Sequence, residues 1–279
     1  MKTLKSYLYV VALLSVALCA CKKNEPYVAP AKSFTVAAEK AVYFATGNLQ
    51  YQPSTHSWRI AENAYDIGVN ANPTAETDKW IDLFGWGADG WNGGIAAYQP
   101  YAISQTEADY YPGGDYSADL TGEYAQADWG RYALNDGVEW RTLTADEWKY
   151  LFEGRANCDS LYAFAVVENI PGLIILPDDW NFEMWGLFFK PGNLPYRDNQ
   201  LVASDWIQLQ EAGAVFLPAA GLRNGKSLVD KKVAGNYWSS THVGAYGAYK
   251  MNFYSKGIKP KAAQGRFYGH SVRLARSAD

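Results

Sequence analysis

Cysteine and histidine are scarce, three of each in 279 residues, and that scarcity excludes much chemistry. Cys19 and Cys21 lie near the N-terminus, so Cys158 is alone in the body of the chain. One thiol forms neither an internal disulfide nor a cysteine-based zinc site. No basic neighbour in sequence favours a thiolate at Cys158, which is expected to be a small buried apolar residue with no catalytic role. His56, His242 and His270 show no His-x-x-x-His or His-Glu pairing, which argues against a zinc enzyme. The chain also lacks a basic excess. It has 25 Lys+Arg against 29 Asp+Glu, a poor composition for general nucleic-acid binding.

Nucleotide and nucleophile motifs are missing as well. No Walker-type Gly-Lys-Ser/Thr occurs. Gly85–Gly90 (Gly-Trp-Gly-Ala-Asp-Gly) has the letters of a dinucleotide fingerprint, but Trp91-Asn92-Gly93-Gly94 follows where a helix would have to open. Ser239-Ser240-Thr241 precedes His242 without a Gly-x-Ser-x-Gly elbow and reads as a Ser/Thr-rich turn. Carboxylates are plentiful, but their spacing in space is not readable from sequence. Asp178-Asp179 before Trp180 reads as a cap or turn, with calcium ligation the weaker alternative, so no cofactor is expected.

One long apolar run exists, Tyr7 to Ala17, preceded by Lys2 and Lys5 and followed by Leu18-Cys19-Ala20-Cys21. It is shorter than the roughly 20 residues that span a bilayer. A charged start, a short apolar run and small residues before a cleavage point are the layout of a secretory signal. Residues 1–20 are therefore expected to be a signal peptide, leaving 259 of the 279 residues. Leu-Cys-Ala-Cys resembles the bacterial lipobox. That resemblance implies a diacylglyceryl thioether and an acylated amine (palmitate-type chains) on Cys21, enough acyl chain to hold the protein stably on a membrane. Residues 21–33 read as a lipidated tether, with Pro26–Lys32 extended. Loss of Lys2 and Lys5 leaves 23 basic against 29 acidic residues, a mature charge of −6.

The body of the chain is rich in aromatics, 21 Tyr, 11 Trp and 11 Phe, beside 25 Gly. Trp and Tyr give flat contact surfaces with a polar handle, and more than half are expected in the core. No linker-like stretch follows Phe34, so residues 34–279 are expected to form one domain. Ala41–Tyr51 and Trp58–Ala61 read as a strand pair with His56-Ser57 in the loop. Asn70–Gly137 is a long irregular excursion, too aromatic for disorder. Thr144-Ala145-Asp146-Glu147 is a capping box for a helix reaching about Arg155. A second helix is expected from a Ser204 or Asp205 cap through Gln210 to Gly213. Gly172–Pro177 and Ala214–Pro218 read as short buried strands. Ala248–Tyr254 alternates, with Tyr249, Met251 and Phe253 on one face and Lys250, Asn252 and Tyr254 on the other. Ser271–Arg276 alternates too, with Val272 and Leu274 inward and Arg273 outward.

Five segments then occur in a telling order: Trp140–Trp148 (Trp-Arg-Thr-Leu-Thr-Ala-Asp-Glu-Trp), Leu176–Trp180 (Leu-Pro-Asp-Asp-Trp), Ala212–Gly221 (Ala-Gly-Ala-Val-Phe-Leu-Pro-Ala-Ala-Gly), Gly235–Thr241 (Gly-Asn-Tyr-Trp-Ser-Ser-Thr) and Gly269–Leu274 (Gly-His-Ser-Val-Arg-Leu). From about Tyr43 to the end the chain resembles the Fibrobacter succinogenes major paralogous domain lipoproteins. That group is similar to the C-type lectin-like fold in its formylglycine-generating (sulfatase-modifying) form and to retroelement-diversified variable proteins. The resemblance implies an α+β, C-type lectin-like domain with two short helices, small twisted antiparallel sheets and extensive ordered loops. The enzyme branch relies on paired or metal-bound thiols, which a lone Cys158 does not supply. The expected function is thus non-catalytic binding of a protein or glycan ligand by a lipid-anchored outer-membrane protein, surface-facing rather than periplasmic. The alternative is an envelope enzyme acting on glycan or peptide through unrecognised carboxylates. In the diversified relatives the ligand-contacting stretch corresponds to His242–His270 here. Its expected outward residues are His242, Tyr246, Asn252, Tyr254, Lys259, Lys261, Gln264, Arg266, Tyr268 and His270. Lys250 and Lys256 make the stretch locally basic, which favours an anionic partner surface.

Overall fold

The structure, a computed structural model, describes residues 29–90, 98–131, 134, 136–183, 196–255 and 257–278. Cys21 and the expected signal peptide lie outside the described residues. Among the described residues no helix is long and apolar enough to cross a membrane.

The chain is α+β, and its described residues form small and almost wholly antiparallel sheets with two α-helices. In chain order come β1 (Phe34–Ala37), β2 (Lys40–Phe44), β3 (Leu49–Gln52) and β4 (Ser57–Ile60). After the excursion follow β5 (Arg141–Thr142), α1 (Ala145–Glu153), β6 (Tyr162–Val167), β7 (Ile170–Ile175), β8 (Gln200–Leu201), α2 (Ala203–Glu211) and β9 (Val215–Pro218). The last third holds β10 (Leu222–Asn224), β11 (Ser227–Val229), β12 (Ala234–Val243), β13 (Gly247–Tyr254), β14 (Gly257–Gly265) and β15 (Leu274–Ser277). The larger sheets run β1-β2-β15-β5, β8-β6-β7-β9 and β12-β13-β14, and only β6 with β8 is parallel.

The expected strand pair divides in two. β3 does pair with β4, but Val42 to Phe44 belong to β2 and pair with β1 and the C-terminal β15. A break after Phe44 sends the second half of the apolar run to a different sheet. His56 closes the β3–β4 connection in the left-handed region, and Ser57 already lies in β4.

α1 forms as its sequence directs. Thr144 Oγ1 accepts from the Glu147 N–H at 3.2 Å and Glu147 accepts from the Thr144 N–H at 2.9 Å, completing the capping box. Ala145, Trp148, Leu151 and Phe152 recur at helical spacing and are buried. Trp148 stacks between Phe44 and Phe152, with ring centroids 5.9 and 6.5 Å away. Glu147 also receives Arg141 through two bonds of 2.6 and 2.9 Å and Lys40 at 2.6 Å, and Arg141 leads the groups that hold its carboxyl below the usual range against burial.

α2 is capped differently from expectation. Val202 is its N-cap and provides no side-chain bond; the Glu168 carboxylate reaches from the β6–β7 hairpin to the Ala203 N–H at 2.5 Å. An acid at a helix N-terminus is favourable, so a distant residue does the work assigned to Ser204 or Asp205. Glu168 and Asn169 both have positive φ, as a two-residue type I′ hairpin between Val167 and Ile170 demands. The two expected buried strands are present as β7 and β9, paired side by side under Trp206 of α2.

The excursion is packed from within by Trp86, Tyr110 and Trp129, all fully buried. The indole N–H groups of Trp86 and Trp129 donate to Ser239 O at 2.8 Å and Ala88 O at 3.3 Å. Gly85 lies against Tyr110, where a Cβ would sit 2.3 Å from the ring, so packing accounts for a glycine of the fingerprint-like segment. At the other end, the expected tether is partly docked: Ser33 is buried, Lys32 N–H donates to Asp179 at 3.0 Å, and Asp178 accepts from Thr35 and pairs with Arg155 at 3.0 Å. Asp178 and Asp179 thus fasten the N-terminal strand. Cys158 is half-buried, not buried as expected, because it sits in a surface 3₁₀ turn after α1.

Candidate functional site: the far face of the C-terminal sheet

The sheet β12-β13-β14 has two dissimilar faces. Residues directly opposite one another in a ladder point to the same side. Tyr237 pairs with Met251 and Gly235 with Phe253, and this side packs against α1 in the core. Gly235 is required there, since a Cβ would come within 2.2 Å of the Phe253 ring. The far side carries Trp238 opposite Lys250, Asn236 opposite Asn252, Asn252 opposite Lys259, and Ala248 between His242 and Gln264.

The expected ligand-contacting residues separate into groups. Tyr246, in the turn between β12 and β13, is 69% exposed, and Lys259 and Lys261 are also exposed. Lys261 belongs to the α1 side, where it bonds Asp146 at 2.7 Å above the Tyr249 ring; that bond raises its ammonium pKa. Tyr254, Gln264 and Tyr268 are half-buried. His242 is half-buried as well, and Asp119 of the excursion accepts from its N–H at 2.8 Å and contacts Nδ1 at 2.6 Å.

Arg266 and His270 do not face outward, and Asn252 does so only in part. Arg266 is fully buried between the rings of Trp86 and Tyr111, 4.6 and 5.0 Å from their centroids. Its Nε donates to Gly247 O at 3.0 Å, Nη2 donates to Tyr116 O, and its N–H donates to Glu107 at 2.8 Å. Burial lowers the Arg266 pKa and raises that of Glu107. His270 is fully buried, its ring 4.2 Å from Trp238 and parallel to Tyr268 at 6.4 Å. Asn252 turns its amide back onto Gly235 O and Asn236 Oδ1. Arg273, expected outward, is also buried; it donates to Ala45 O, Asn48 Oδ1 and Phe216 O at 2.7–2.9 Å, and desolvation lowers its pKa to about 10. The excursion covers Arg266 through Trp86, Tyr111 and Tyr116, whereas Asn252 and Arg273 are drawn inward by acceptors on other segments.

Sequence reasoning misses Asn236 on the far face and Arg223 on the neighbouring β10, and it counts Lys250 in the basic stretch but not among the outward residues. The alternation of β13 placed Lys250 beside Asn252, which was the available signal. Lys250 is buried, and desolvation followed by repulsion from Lys259 lowers its pKa to about 8.

A separate cleft of about 730 Å³ opens between the excursion and β5, lined by Thr121, Asp128, Arg131, Glu139, Trp140 and Ser240 among others. Its buried Asp128 is occupied by the N–H groups of Gly130 and Thr142 and by the Thr142 hydroxyl at 2.8–3.1 Å. Burial raises the pKa of that carboxyl against these bonds. Among the described residues no cluster of three or more His, Cys, Asp or Glu is placed to hold a metal ion. No family model matches this chain, and no curated protein and no solved structure matches it.

Proposed function

We propose that this chain is a non-catalytic, lipid-anchored envelope protein of C-type lectin-like architecture that binds a protein or glycan ligand through the far face of its C-terminal sheet. Lipidation at Cys21 and a place on the outer membrane, facing the cell surface, belong to the same proposal and rest on the N-terminal sequence. The observation that carries it is the make-up of that face: a buried floor of Trp238, Arg266 and His270 bordered by Tyr246, Tyr254, Tyr268, Gln264 and Lys259, which keep part of their surface in solvent. Tyrosines held on a rigid base offer contact area at little entropy cost, and an exposed lysine steers anionic partners.

The test is binding of the mature protein to arrayed glycans and envelope proteins, followed by alanine variants. Tyr254→Ala or Tyr268→Ala is expected to weaken capture by roughly 2 kcal/mol or more where the tyrosine is a hot spot. Normal binding by these variants, with binding lost on changes in the Asn70–Gly137 excursion, would place the interface elsewhere. Cys21→Ser should abolish incorporation of labelled lipid.

A further inference from the structure

The far face holds a buried positive charge for which the described residues supply no counter-charge. Lys250 is 6% exposed, and its Nζ donates to Asn236 Oδ1 at 2.6 Å. Asn236 is fixed in that orientation, because its Nδ2 donates to Gly221 O at 3.0 Å and its Oδ1 also accepts from Asn252 at 3.0 Å. An ammonium has three donors. Among the described residues no carboxylate forms an ion pair with it.

The neighbours deepen the imbalance. His270 packs on Trp238, the residue directly opposite Lys250, and among the described residues neither of its ring nitrogens has a hydrogen-bond partner. Burial first, then the charges of Lys250 and Arg223, hold its pKa well below the usual value, so the ring is neutral with one N–H to donate. Arg223 is fully buried with Nε unpartnered, its other nitrogens donating to Gly225 O and Leu83 O at 3.2 Å. Lys259 lies opposite Asn252 and is exposed. The charges of Lys250 and Arg223 act on His270 and that of Lys259 acts on Lys250, so the four bases lie near one another. Buried water satisfies hydrogen bonds, but it does not neutralise a buried charge, which is costly unless paired.

We propose that this cluster is an oxyanion subsite, in which a carboxylate or phosphate group of an acidic carbohydrate ligand seats against Lys250 Nζ and the His270 ring, with Asn252 and Lys259 at its solvent side. The remaining ammonium donors and the imidazole N–H are what such a group requires. Tyr268, parallel to His270 and stacked on Phe267 at 4.3 Å, keeps part of its surface in solvent, where it can meet the attached sugar ring. The subsite rests on the binding function proposed above and specifies the ligand's chemical class.

The experiment is calorimetric titration of the mature protein with glucuronate, glucose 6-phosphate and glucose. One or both charged sugars should bind saturably while glucose does not, and the arm that binds identifies the anion. Lys250→Met should weaken that binding about tenfold or more, and Lys259→Met by less, in keeping with a buried against a rim charge. Lys250→Met should also melt no lower than the parent protein in anion-free buffer, which shows that it folds. Saturable binding of neither anion, or undiminished binding by Lys250→Met, overturns the subsite. If the subsite fails while Tyr254→Ala or Tyr268→Ala still lowers capture of a protein or neutral glycan, the broader binding function stands without it. If the anions bind and the tyrosine variants capture normally, the broader surface is overturned and the anion subsite remains.

Discussion

The two faces of β13 both bury side chains, but of different kinds. Towards α1, Met251 and Phe253 meet Tyr237, Phe164 and Ile258 with carbon against carbon. On the far side, one residue along, Lys250 and Asn252 meet Asn236, and His270 packs on the neighbouring Trp238. The first face gains from desolvation; the second spends part of that gain on a buried ammonium. Well-packed apolar surface needs no further account, whereas buried polar groups without partners are uncommon and point to a missing occupant or to function. The contrast teaches that burial by itself does not distinguish core from site, and that the chemistry beneath the cover does.

The comparison breaks most sharply at Phe253. Phe253→Ala should destabilise the mature protein by about 3–5 kcal/mol in urea unfolding, because the cavity would open inside the α1-facing core. A loss below about 1 kcal/mol would mean that this face is not the better packed of the two.

Lys250→Met should act in the opposite direction. The unfolded amine takes up its proton near its ordinary value of 10.5, the folded one only at about 8. Between those values the unfolded chain binds more protons, so stability rises with pH through that window. Below it the full cost of burial is present, roughly 3 kcal/mol. In anion-free buffer the variant is therefore expected to be the more stable protein at pH 7, by an amount on the order of 1–3 kcal/mol after loss of the Asn236 bond. The gap should close towards pH 10. Unfolding of both proteins across pH 7–10 measures it, and a constant gap would show that Lys250 is not desolvated.

A smaller effect is expected where the excursion is tied to β12. Asp119→Ala removes both contacts to His242, but the two side chains are 39% and 30% exposed, so solvent screening limits the loss to under about 1 kcal/mol. Faster amide exchange at Leu120, whose N–H donates to Ser240 O, would report the local loosening. Tyr246→Ala should change stability least, within about 0.5 kcal/mol, since its ring lies mostly in water. A reduced affinity with an unchanged melt would separate recognition from packing on the same sheet.

How much was legible follows the range over which each signal acts. The capping box of α1 and the alternation of β13 depend on residues within a few positions of one another, and both formed as expected. The cap of α2 was misassigned because Glu168 reaches Ala203 across 35 positions. Within the candidate site, Tyr246 and Lys259 were placed outward correctly, while Arg266 and His270 were not, since nothing local marks the rings of Trp86, Tyr111 and Trp238 that cover them.

The sequence by itself determined the α+β composition, the helix start at Thr144, the apolar runs of β7 and β9, and which face of β13 meets the core. Only the tertiary structure decided what became of the other face and of the arginines. Arg273 alternates with Val272 and Leu274 as a solvent-facing residue would, yet it is buried because Ala45 and Asn48, from one distant segment, and Phe216, from another, bring their oxygens to its guanidinium. A polar side chain enters the interior only where partners converge on it, and that convergence is a property of the folded chain, not of any window of sequence.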